Sequence, residues 1–381
     1  MRILFCLDFF PPHIGGAEIL FGNLAEGLAQ AGHDVHVVTQ LVKGSIPYEE
    51  RNGVKITRIK CFECRYLFSL LCIPKLMNLA KEADLIHATT FASTLPSWLV
   101  SRLTKKPLAL TVHEVWLGKW NLFSDASPLS NLLNGMIERF VYLFDYRNYF
   151  AVSNATAKAL ADAGVPSSKI TVIHNGIDYG FWQFTQHGRD KIRKRLGLDG
   201  KFVFFFSGRP GRSKGLMVLI EALRKLREKR NDIHLLAIVS DNAAVKAERD
   251  AALKLIAEYG LDECVTMLTP VPYSELPSYV SAADTVVIPS FTEGFGYAAA
   301  EACAAGRPVI ATDNASLPEV VSGKVLLVPP RDSDALADAM AKAVADEFQT
   351  IPQRRFLTAE NVQSHINLYR KILGLDNDAR F

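Results

Sequence analysis

The sequence predicts an α/β protein made of two doubly wound, Rossmann-like domains in series. Short runs rich in Val, Ile and Phe alternate with segments of helical period almost from end to end. The alternation stops once, across a charged stretch at 178–200 without a strand pattern, and then restarts. The length of 381 residues suits two domains, and 49% hydrophobic with 22% charged residues is globular usage.

The first half contains seven predicted strands, each a short apolar run bounded by polar or turn residues. They span 2–7, 34–39, 54–59, 85–89, 108–113, 149–152 and 170–174. A helix follows the first strand and ends at Gly32. Its apolar residues recur on one face: Ala17, Leu20, Phe21, Leu24 and Leu28.

The second half contains six predicted strands, at 202–207, 233–239, 265–268, 285–289, 308–312 and 325–328. We place the first domain at 1–180 and the second at 181–352. A C-terminal helix at 353–381 is expected to pack back on the first domain. Two such domains are expected to leave a cleft at the carboxyl ends of their strands, where doubly wound folds bind ligands.

Charge separates the possible partners. Forty-three Lys and Arg against 40 Asp and Glu give +3, too balanced for a protein that wraps a nucleic acid. The segment 43–81 differs, because eight basic residues against three acidic ones give it +5, and it includes the apolar run 66–73. Either this segment contacts a membrane, or it is a packed helix with a solvated basic rim. The basic residues are Lys43, Arg51, Lys55, Arg58, Lys60, Arg65, Lys75 and Lys81.

Targeting and cysteine patterns indicate a cytoplasmic protein. No stretch approaches the ~18 apolar residues of a spanning helix. The N-terminal apolar run is broken by Asp8 and Pro11-Pro12 without a cleavage site, so we read it as a strand. Six cysteines are too few for a disulfide framework, and Cys61 and Cys64 lack a second pair for zinc. Reduced thiols are therefore expected.

Two common nucleotide motifs are absent. A dinucleotide fingerprint requires glycines directly after the first strand and an acid ending the second. Here Gly15-Gly16 follow the loop 8–14, and the second strand ends in Thr39-Gln40. The segment 208–215, Gly-Arg-Pro-Gly-Arg-Ser-Lys-Gly, lacks the lysine and hydroxyl residue that follow the last glycine of a P-loop. Neither NAD nor ATP is favoured.

A phosphate site is nevertheless indicated. Gly15 and Gly16 lie where the first helix begins and leave free amides at its positive end, although an ordinary tight turn explains two glycines as well. Arg209 and Lys214 follow the strand 202–207 and project from its carboxyl end. Two such cations suit a diphosphate and can replace Mg²⁺ as its counter-charge; the alternative is that both are simply solvated.

The most specific segment is 289–302, which follows a strand and opens a helix. Glu293 lies in the loop and Glu301 about one turn inside the helix, so both carboxylates can reach a ligand across the helix start. Gly294 and Gly296 let backbone amides approach hydroxyls or phosphate. A carboxylate can accept two hydrogen bonds from a vicinal diol.

With these segments, the sequence resembles the retaining glycosyltransferases of family 4, which have the GT-B architecture of two facing Rossmann-like domains. The resemblance covers almost the whole chain. It rests on Gly15-Gly16-Ala17-Glu18, Thr111-Val112-His113-Glu114, Val152-Ser153, His174-Asn175-Gly176-Ile177-Asp178, Gly208-Arg209, Lys214-Gly215, the E-x7-E pair Glu293 and Glu301, Gly306-Arg307-Pro308-Val309-Ile310-Ala311 and Pro318-Glu319-Val320-Val321.

The resemblance implies a role for each candidate residue. Glu301 would hold the ribose hydroxyls, and His113, by itself more often a structural histidine, would lie by the reacting sugar. Two groups complete the site. The donor sugar would be held by Glu293 with the amides of Gly294, Phe295 and Gly296, and the diphosphate by Arg209 and Lys214 with the amides of Gly15 and Gly16.

The activity implied is transfer of a hexose-type sugar from a UDP-sugar or GDP-mannose to an acceptor hydroxyl in glycan or glycolipid synthesis. The family implies retention; a same-face route without a metal or cofactor is expected, with a glycan, lipid-linked or small-molecule acceptor. A nucleotide-sugar epimerase or hydrolase of the same fold and a non-catalytic binder are the alternatives. The chain departs from the family pattern at two places. Ser240-Asp241-Asn242-Ala243 stands where the family often has a glycine-rich turn at the base pocket, and Ala315-Ser316 stands where the family commonly has glycine in the loop near the donor sugar.

Overall fold

The computed structural model describes residues 1–13, 15–242 and 245–375, which form two compact units. The first unit contains the described residues of 1–118, 132–176 and 356–375, and the second contains 119–131 and 177–355. The chain therefore enters the second unit briefly at 119–131, enters it again after Gly176 and returns after Arg355. Ile14 of the loop 8–14, Ala243 of the turn 240–243 and the predicted helix end 376–381 lie outside the described residues.

The first unit is built on an eight-stranded sheet. Its strands are β1 Arg2–Cys6, β2 Asp34–Gln40, β3 Tyr48–Arg51, β4 Val54–Ile59, β5 Leu85–Thr89, β6 Leu108–Val112, β7 Asn148–Ala151 and β8 Ile170–Val172. Their order is β3-β4-β2-β1-β5-β6-β7-β8, and all neighbours are parallel except β3 with β4. The seven predicted strands are all present, with ends that shift by one or two residues.

The second unit repeats this architecture with seven strands. They are β9 Phe202–Gly208, β10 Ile233–Val239, β11 Val265–Leu268, β12 Thr285–Ile288, β13 Val309–Thr312, β14 Gly323–Val328 and β15 Gln349–Ile351. Their order is β11-β10-β9-β12-β13-β14-β15, with only β15 antiparallel to its neighbour among the described strands. The predicted α/β class with two doubly wound sheets is confirmed.

Two strands, β3 and β15, are missing from the sequence-based prediction. Both are short antiparallel strands at a sheet edge, and their side chains are largely exposed or half-buried. An edge strand of this kind needs no apolar run, so the pattern used for the other strands does not find it. The turn before β4 could have indicated β3, because Asn52-Gly53 is a preferred pair for a two-residue β-hairpin turn. In the structure both residues have the positive φ that such a turn requires, 51° and 80°.

The described residues contain fifteen α-helices. They are α1 Gly16–Gln30, α2 Arg65–Leu71, α3 Ile73–Ala80, α4 Thr94–Thr104, α5 Trp120–Phe123, α6 Pro128–Val141, α7 Asn154–Asp162, α8 Gln186–Leu196, α9 Leu216–Arg227, α10 Lys246–Glu258, α11 Leu276–Ala282, α12 Tyr297–Ala304, α13 Leu317–Val320, α14 Ser333–Val344 and α15 Thr358–Ile372. Within 1–13, 15–242 and 245–375, no helix is long and apolar enough to span a membrane.

The strand β1 shows why the apolar runs are continuous rather than alternating. Ile3 and Phe5 pack into the core shared by α1 and α15, whereas Leu4 and Cys6 pack into the core under α2, α3, α4 and α7. Successive side chains of a strand point to opposite faces, and helices cover both faces of this sheet. Most positions of the central strands are therefore apolar on both faces.

The C-terminal helix α15 packs against α1 in the first unit. Gly27 allows close approach, since a Cβ there would lie 2.5 Å from Val362 Cγ2. Beneath the helix, the buried His87 ring bonds through Nδ1 to the Tyr369 hydroxyl at 2.5 Å and through Nε2 to the Thr111 hydroxyl at 2.8 Å. Both polar atoms of this histidine are thereby satisfied inside the core.

Candidate functional site

In the second unit, the candidate residues collect at the carboxyl ends of β9 and β12. The strand β9 lies between β10 and β12, so the chain leaves it toward one side and later returns on the other. Loops that diverge from such a switch point leave a crevice for a ligand. Here the two loops are joined directly, because the Phe291 amide donates to the Ser213 carbonyl at 2.7 Å.

Lys214 and Glu293 form an ion pair across these two loops. The Lys214 Nζ to Glu293 Oε1 distance is 2.6 Å, and the Ser290 hydroxyl donates to the same oxygen at 2.8 Å. Both side chains are only partly exposed, 24% for Lys214 and 14% for Glu293. Shielding from water makes this contact stronger than a surface ion pair. The pair joins a cation suited to phosphate with a carboxylate suited to hydroxyl groups.

Gly215 brings the two loops close enough for that pair. Its φ of +71° lies in the left-handed region, and a Cβ at this position would lie 2.0 Å from the Pro289 carbonyl oxygen. Only glycine meets both conditions. Arg209, by contrast, is exposed just after β9 and forms no hydrogen bond or ion pair within the described residues.

The loop 293–296 is held from the side of α13. The Ser316 hydroxyl donates to the Glu293 carbonyl at 3.0 Å, and Gly296 enters α12 with a φ of +89°. Ala315 has a φ of +51°, the left-handed region that favours glycine, at the place where the resemblance leads one to expect it. This departure therefore keeps the glycine-like backbone, and the buried Ser316 adds a contact to the loop.

Glu301 is the fifth residue of α12, about one turn from its start. Its carboxyl group lines a cavity of about 20 Å³, together with Phe205, Ser207 and Ala298, and forms no hydrogen bond within the described chain. Burial raises the pKa of Glu301 to about 8. A half-buried carboxyl group without a partner in the described chain gains most from a ligand that donates hydrogen bonds to it.

Aromatic side chains line the same region, and the sequence reasoning did not select them as site residues. Phe181 stacks on Tyr273 with ring centroids 5.0 Å apart, and Trp182 meets Tyr273 edge-on. Burial first, and then the charge of Glu301, raise the pKa values of Tyr273 and Tyr297. The aromatic residues at the start of the 178–200 stretch could have indicated a binding surface. The sequence around them, however, does not indicate that they lie near Glu301.

In the first unit, Gly15 and Gly16 lie at the start of α1, as their positions in the sequence indicate. Gly15 precedes the helix with an extended φ of −175°, and a Cβ there would lie 2.3 Å from Glu18 Oε2. The Glu18 carboxylate in turn lies 3.2 Å from His13 Nδ1. Burial raises the pKa of Glu18, but the hydrogen bond and the charge of His13 outweigh it and leave this pKa lowered.

His113 follows β6 and packs beside α1. Its ring meets Phe21 edge-on at 6.0 Å, and its buried Nε2 has no protein partner within the described residues. Burial lowers the pKa of His113 to about 4, against the opposing charge of Glu18. A neutral imidazole with one free ring nitrogen can bind a sugar hydroxyl, as donor or acceptor according to its tautomer.

The structure thus assembles the candidates in two groups. Lys214, Glu293, the 294–296 loop and Glu301 surround the ends of β9 and β12 in the second unit. Gly15, Gly16 and His113 lie at the ends of β1 and β6 in the first. Within 1–13, 15–242 and 245–375, no group of three or more His, Cys, Asp or Glu is arranged to hold a metal ion.

Comparison with known proteins gives two family matches that together span most of the chain. The model described as Glycosyltransferase Family 4 matches residues 14–181, and the model described as Glycosyl transferases group 1 matches residues 188–361. A D-inositol 3-phosphate glycosyltransferase of Pseudarthrobacter chlorophenolicus is 30% identical over 313 residues, which cover 78% of this chain and 74% of that protein.

Solved structures share the fold over nearly the whole length. Sucrose-phosphate synthase from Thermosynechococcus elongatus superposes with a TM-score of 0.84 at 22% identity, covering 99% of this chain and 100% of that one. The Anabaena protein HepE, in complex with UDP and glucose, gives a TM-score of 0.75 at 22% identity, covering 98% of each chain.

Proposed function

Because the chain belongs to the glycosyltransferases of group 1 and family 4, we propose that it transfers a hexose-type sugar from a nucleotide-diphosphate sugar to an acceptor hydroxyl. The predicted family and the predicted GT-B fold are confirmed. The proposal adds a UDP-sugar or GDP-mannose as donor, retention at the anomeric carbon and an acceptor in glycan or glycolipid synthesis. HepE, with UDP and glucose bound, supports a nucleotide-sugar donor.

The observation that carries the proposal is the Lys214–Glu293 pair at the switch point, with Glu301 one turn into the following helix. This arrangement offers a cation, a carboxylate and a second carboxyl group along one crevice. A nucleotide-diphosphate sugar presents phosphate, sugar hydroxyls and ribose hydroxyls in one molecule. We assign Lys214 and Arg209 to the diphosphate, Glu293 and the 294–296 amides to the sugar, and Glu301 to the ribose.

The chemical step follows from where charge develops. The bond between the anomeric carbon and the phosphate oxygen breaks, and a bond to the acceptor oxygen forms on the same face of the sugar. The acceptor proton passes to the departing phosphate oxygen. Lys214 and Arg209, aided in the proposal by amides at Gly15 and Gly16, stabilise the negative charge that builds on the nucleoside diphosphate. Two side-chain cations supply this stabilisation without a metal ion or another cofactor.

In the first unit, we assign His113 to the transferred sugar. A neutral ring binds a hydroxyl of the transferred sugar without competing for the phosphate charge, and the lowered pKa keeps it neutral at physiological pH. In this role it positions the sugar and exchanges no proton. The turn 240–243 differs from the glycine-rich turn of the family, so it does not indicate whether the donor base is uracil or guanine. Screening of UDP- and GDP-sugars answers that question.

The proposal places the enzyme in the cytoplasm, at the inner face of a membrane when the acceptor is lipid-linked.

The structure reduces the free charge of the segment 43–81. Four of its eight basic residues pair with carboxylates: Arg51 with Glu26, Lys55 with Asp34, Arg58 with Glu49 and Arg65 with Asp8. Lys60 and Lys75 are therefore the better positions at which to reverse charge when vesicle binding is measured.

The first test identifies the donor and then removes a cation. Thermal unfolding with a panel of UDP- and GDP-sugars should show one donor that stabilises the chain. With that donor, Lys214→Ala and Arg209→Ala should each lower turnover at least ~100-fold, because one preorganised charge contact is worth about 3 kcal/mol in the transition state. Lys191→Ala, an exposed lysine of α8, is the control and should retain full activity.

Three results would contradict the proposal in different ways. Strong dependence on Mg²⁺ or Mn²⁺, abolished by EDTA, would refute the metal-free scheme. Consumption of donor without acceptor at the rate of transfer would indicate the epimerase or hydrolase. Donor binding without turnover in the presence of any acceptor would indicate a binding protein.

A further inference from the structure

The outward face of α6 is covered with large apolar side chains. Leu132, Leu133, Met136, Ile137 and Phe140 are exposed, and Leu143 continues the row just beyond the helix. Their exposed fractions run from 39% for Ile137 to 70% for Leu143. Single exposed apolar residues are ordinary on a protein surface, whereas a contiguous row marks a contact surface.

The inward side of the same helix contains a buried carboxylate beside the apolar Val141. Glu138 is 3% exposed and accepts hydrogen bonds from the Trp116 amide at 2.8 Å and the Tyr142 hydroxyl at 3.2 Å. At about 100° per residue, Glu138 lies on the side opposite Leu133 and Phe140. The helix therefore presents its large apolar side chains, apart from the buried Val141, to the outside, while its carboxylate is bonded to the protein. An apolar environment on that outer side would remove these side chains from water.

The neighbouring end of α4 extends the apolar face and borders it with positive charge. Trp98 stacks on Phe144 at 4.8 Å, and Phe144 meets Phe140 edge-on at 6.3 Å. The Arg102 guanidinium lies 5.9 Å from the Trp98 ring. Further exposed cations lie on or next to these elements: Arg139 on α6, Lys105 at the end of α4, and Arg147, which acts on Asp145. Nearby, Asp145 is occupied by Arg102 at 3.6 Å and Lys169 at 2.8 Å, so the border is net positive.

A second apolar patch belongs to the same layer of helices. Phe62, Tyr66 and Leu70 around α2 are 79%, 71% and 62% exposed. The helices α2 and α4 and the end of α6 all pack through Phe68, Val100 and Val141 into one core on one face of the sheet. An extended layer with apolar side chains and a cationic border matches a lipid surface with anionic headgroups better than a compact protein.

We propose that α6 is an interfacial helix that inserts its outer apolar face, residues 132–140, into the surface of an anionic bilayer. The aromatic pair Trp98 and Phe144 lies at headgroup depth, and Arg139 and Lys105 contact the lipid phosphates. This inference rests on the chemistry of the α6 surface and not on the transferase assignment. Its test therefore measures membrane binding, and its failure would leave the proposed reaction untouched.

The experiment is flotation of the full chain with vesicles of phosphatidylcholine containing phosphatidylglycerol. Met136→Glu and Phe140→Glu should each lower the partition coefficient at least ~10-fold, because a carboxylate is excluded from the apolar layer and repelled by the headgroups. Leu253→Glu, on α10 of the second unit and 39% exposed, makes the same kind of change elsewhere and should bind like the wild type. Thermal unfolding should be unchanged, since the altered side chains face outward.

A milder variant and the oligomeric state make the test decisive. Arg139→Glu leaves the apolar face intact and should lower binding to anionic vesicles at low salt but have little effect at high salt. Absence of wild-type binding, or equal binding by the α6 variants, would overturn the proposal. So would a wild-type dimer that dissociates in Met136→Glu, because the apolar face would then belong to a second copy of the chain.

Discussion

At the residue scale, Glu301 should couple donor binding to pH. Burial raises its pKa to about 8, whereas ribose hydroxyls donate hydrogen bonds to the ionised carboxylate. We therefore expect donor affinity to rise between about pH 6 and pH 8, with release of up to one proton on binding. Titration calorimetry in buffers of different ionisation enthalpy measures both quantities.

Substitution of Glu301 separates the carboxylate from its surroundings. Glu301→Gln should weaken donor binding by about 1–3 kcal/mol and remove the pH dependence, since the amide neither ionises nor accepts two hydrogen bonds as well. Glu258→Gln, at the exposed end of α10, is the matched control. Unchanged affinity, or a pH slope that survives the substitution, would remove Glu301 from the ribose site.

At the scale of an element, the turn between β9 and α9 depends on Gly215. Gly215→Ala would force a side chain into a left-handed residue with φ +71° and place its Cβ 2.0 Å from the Pro289 oxygen. We expect loss of stability well above ~1 kcal/mol and a large loss of donor affinity, because Lys214 and Glu293 separate when the loops move. Urea unfolding and donor titration measure the two effects.

Gly197 provides the control for that prediction. It ends α8 with a φ of +64°, but a Cβ there would meet nothing within 4 Å. Gly197→Ala should therefore cost only the backbone strain, roughly 1–2 kcal/mol, and leave donor affinity intact. Equal effects of the two substitutions would mean that the contact with Pro289 has no role in the site.

For the whole molecule, buried histidines should make the fold sensitive to acid. Burial lowers the pKa of six of them: to about 4 for His36, His113, His234 and His365, well below its usual value for His87, and below its usual value for His33. Their contribution to stability is present above about pH 6.5 and is lost as pH falls toward 4, because the unfolded chain binds the protons.

Two acids act in the opposite direction. Burial raises the pKa of Asp8 to about 6 and that of Glu301 to about 8, so their stabilising contribution is full below about pH 4 and is lost as pH rises through these values. Six histidines against two acids leave a net loss of stability on acidification. The free energy of unfolding in urea should thus be lower at pH 5 than at pH 7.

A pair of histidine variants tests the origin of this slope. His234→Gln removes a buried ring that bonds to the Thr266 hydroxyl at 2.9 Å and should flatten the pH dependence by less than one proton. His187→Gln changes an exposed histidine and should leave the slope as it is. Stability that is flat or rises between pH 7 and 5 would contradict the assignment of these rings as neutral.

The sequence by itself determined the fold class and most of the elements. Thirteen predicted strands are present because a strand covered by helices on both faces is apolar along most of its length, which is a local property. The positions of Glu293 and Glu301 are also predictable from local sequence. The residues between them place Glu293 in the loop and Glu301 about one turn inside the following helix. Neighbours along the chain suffice for such predictions.

Only the tertiary structure decided which distant groups meet. Lys214 and Glu293 are 79 positions apart and pair because β9 and β12 are neighbours in the sheet. Tertiary packing also decided three other features. They are the edge strands β3 and β15, the ion pairs that neutralise half of the basic residues in 43–81, and the exposure of the apolar face of α6. Each depends on which surfaces the sheet order brings together, and a side chain's partner and exposure are fixed by that packing rather than by its sequence neighbours.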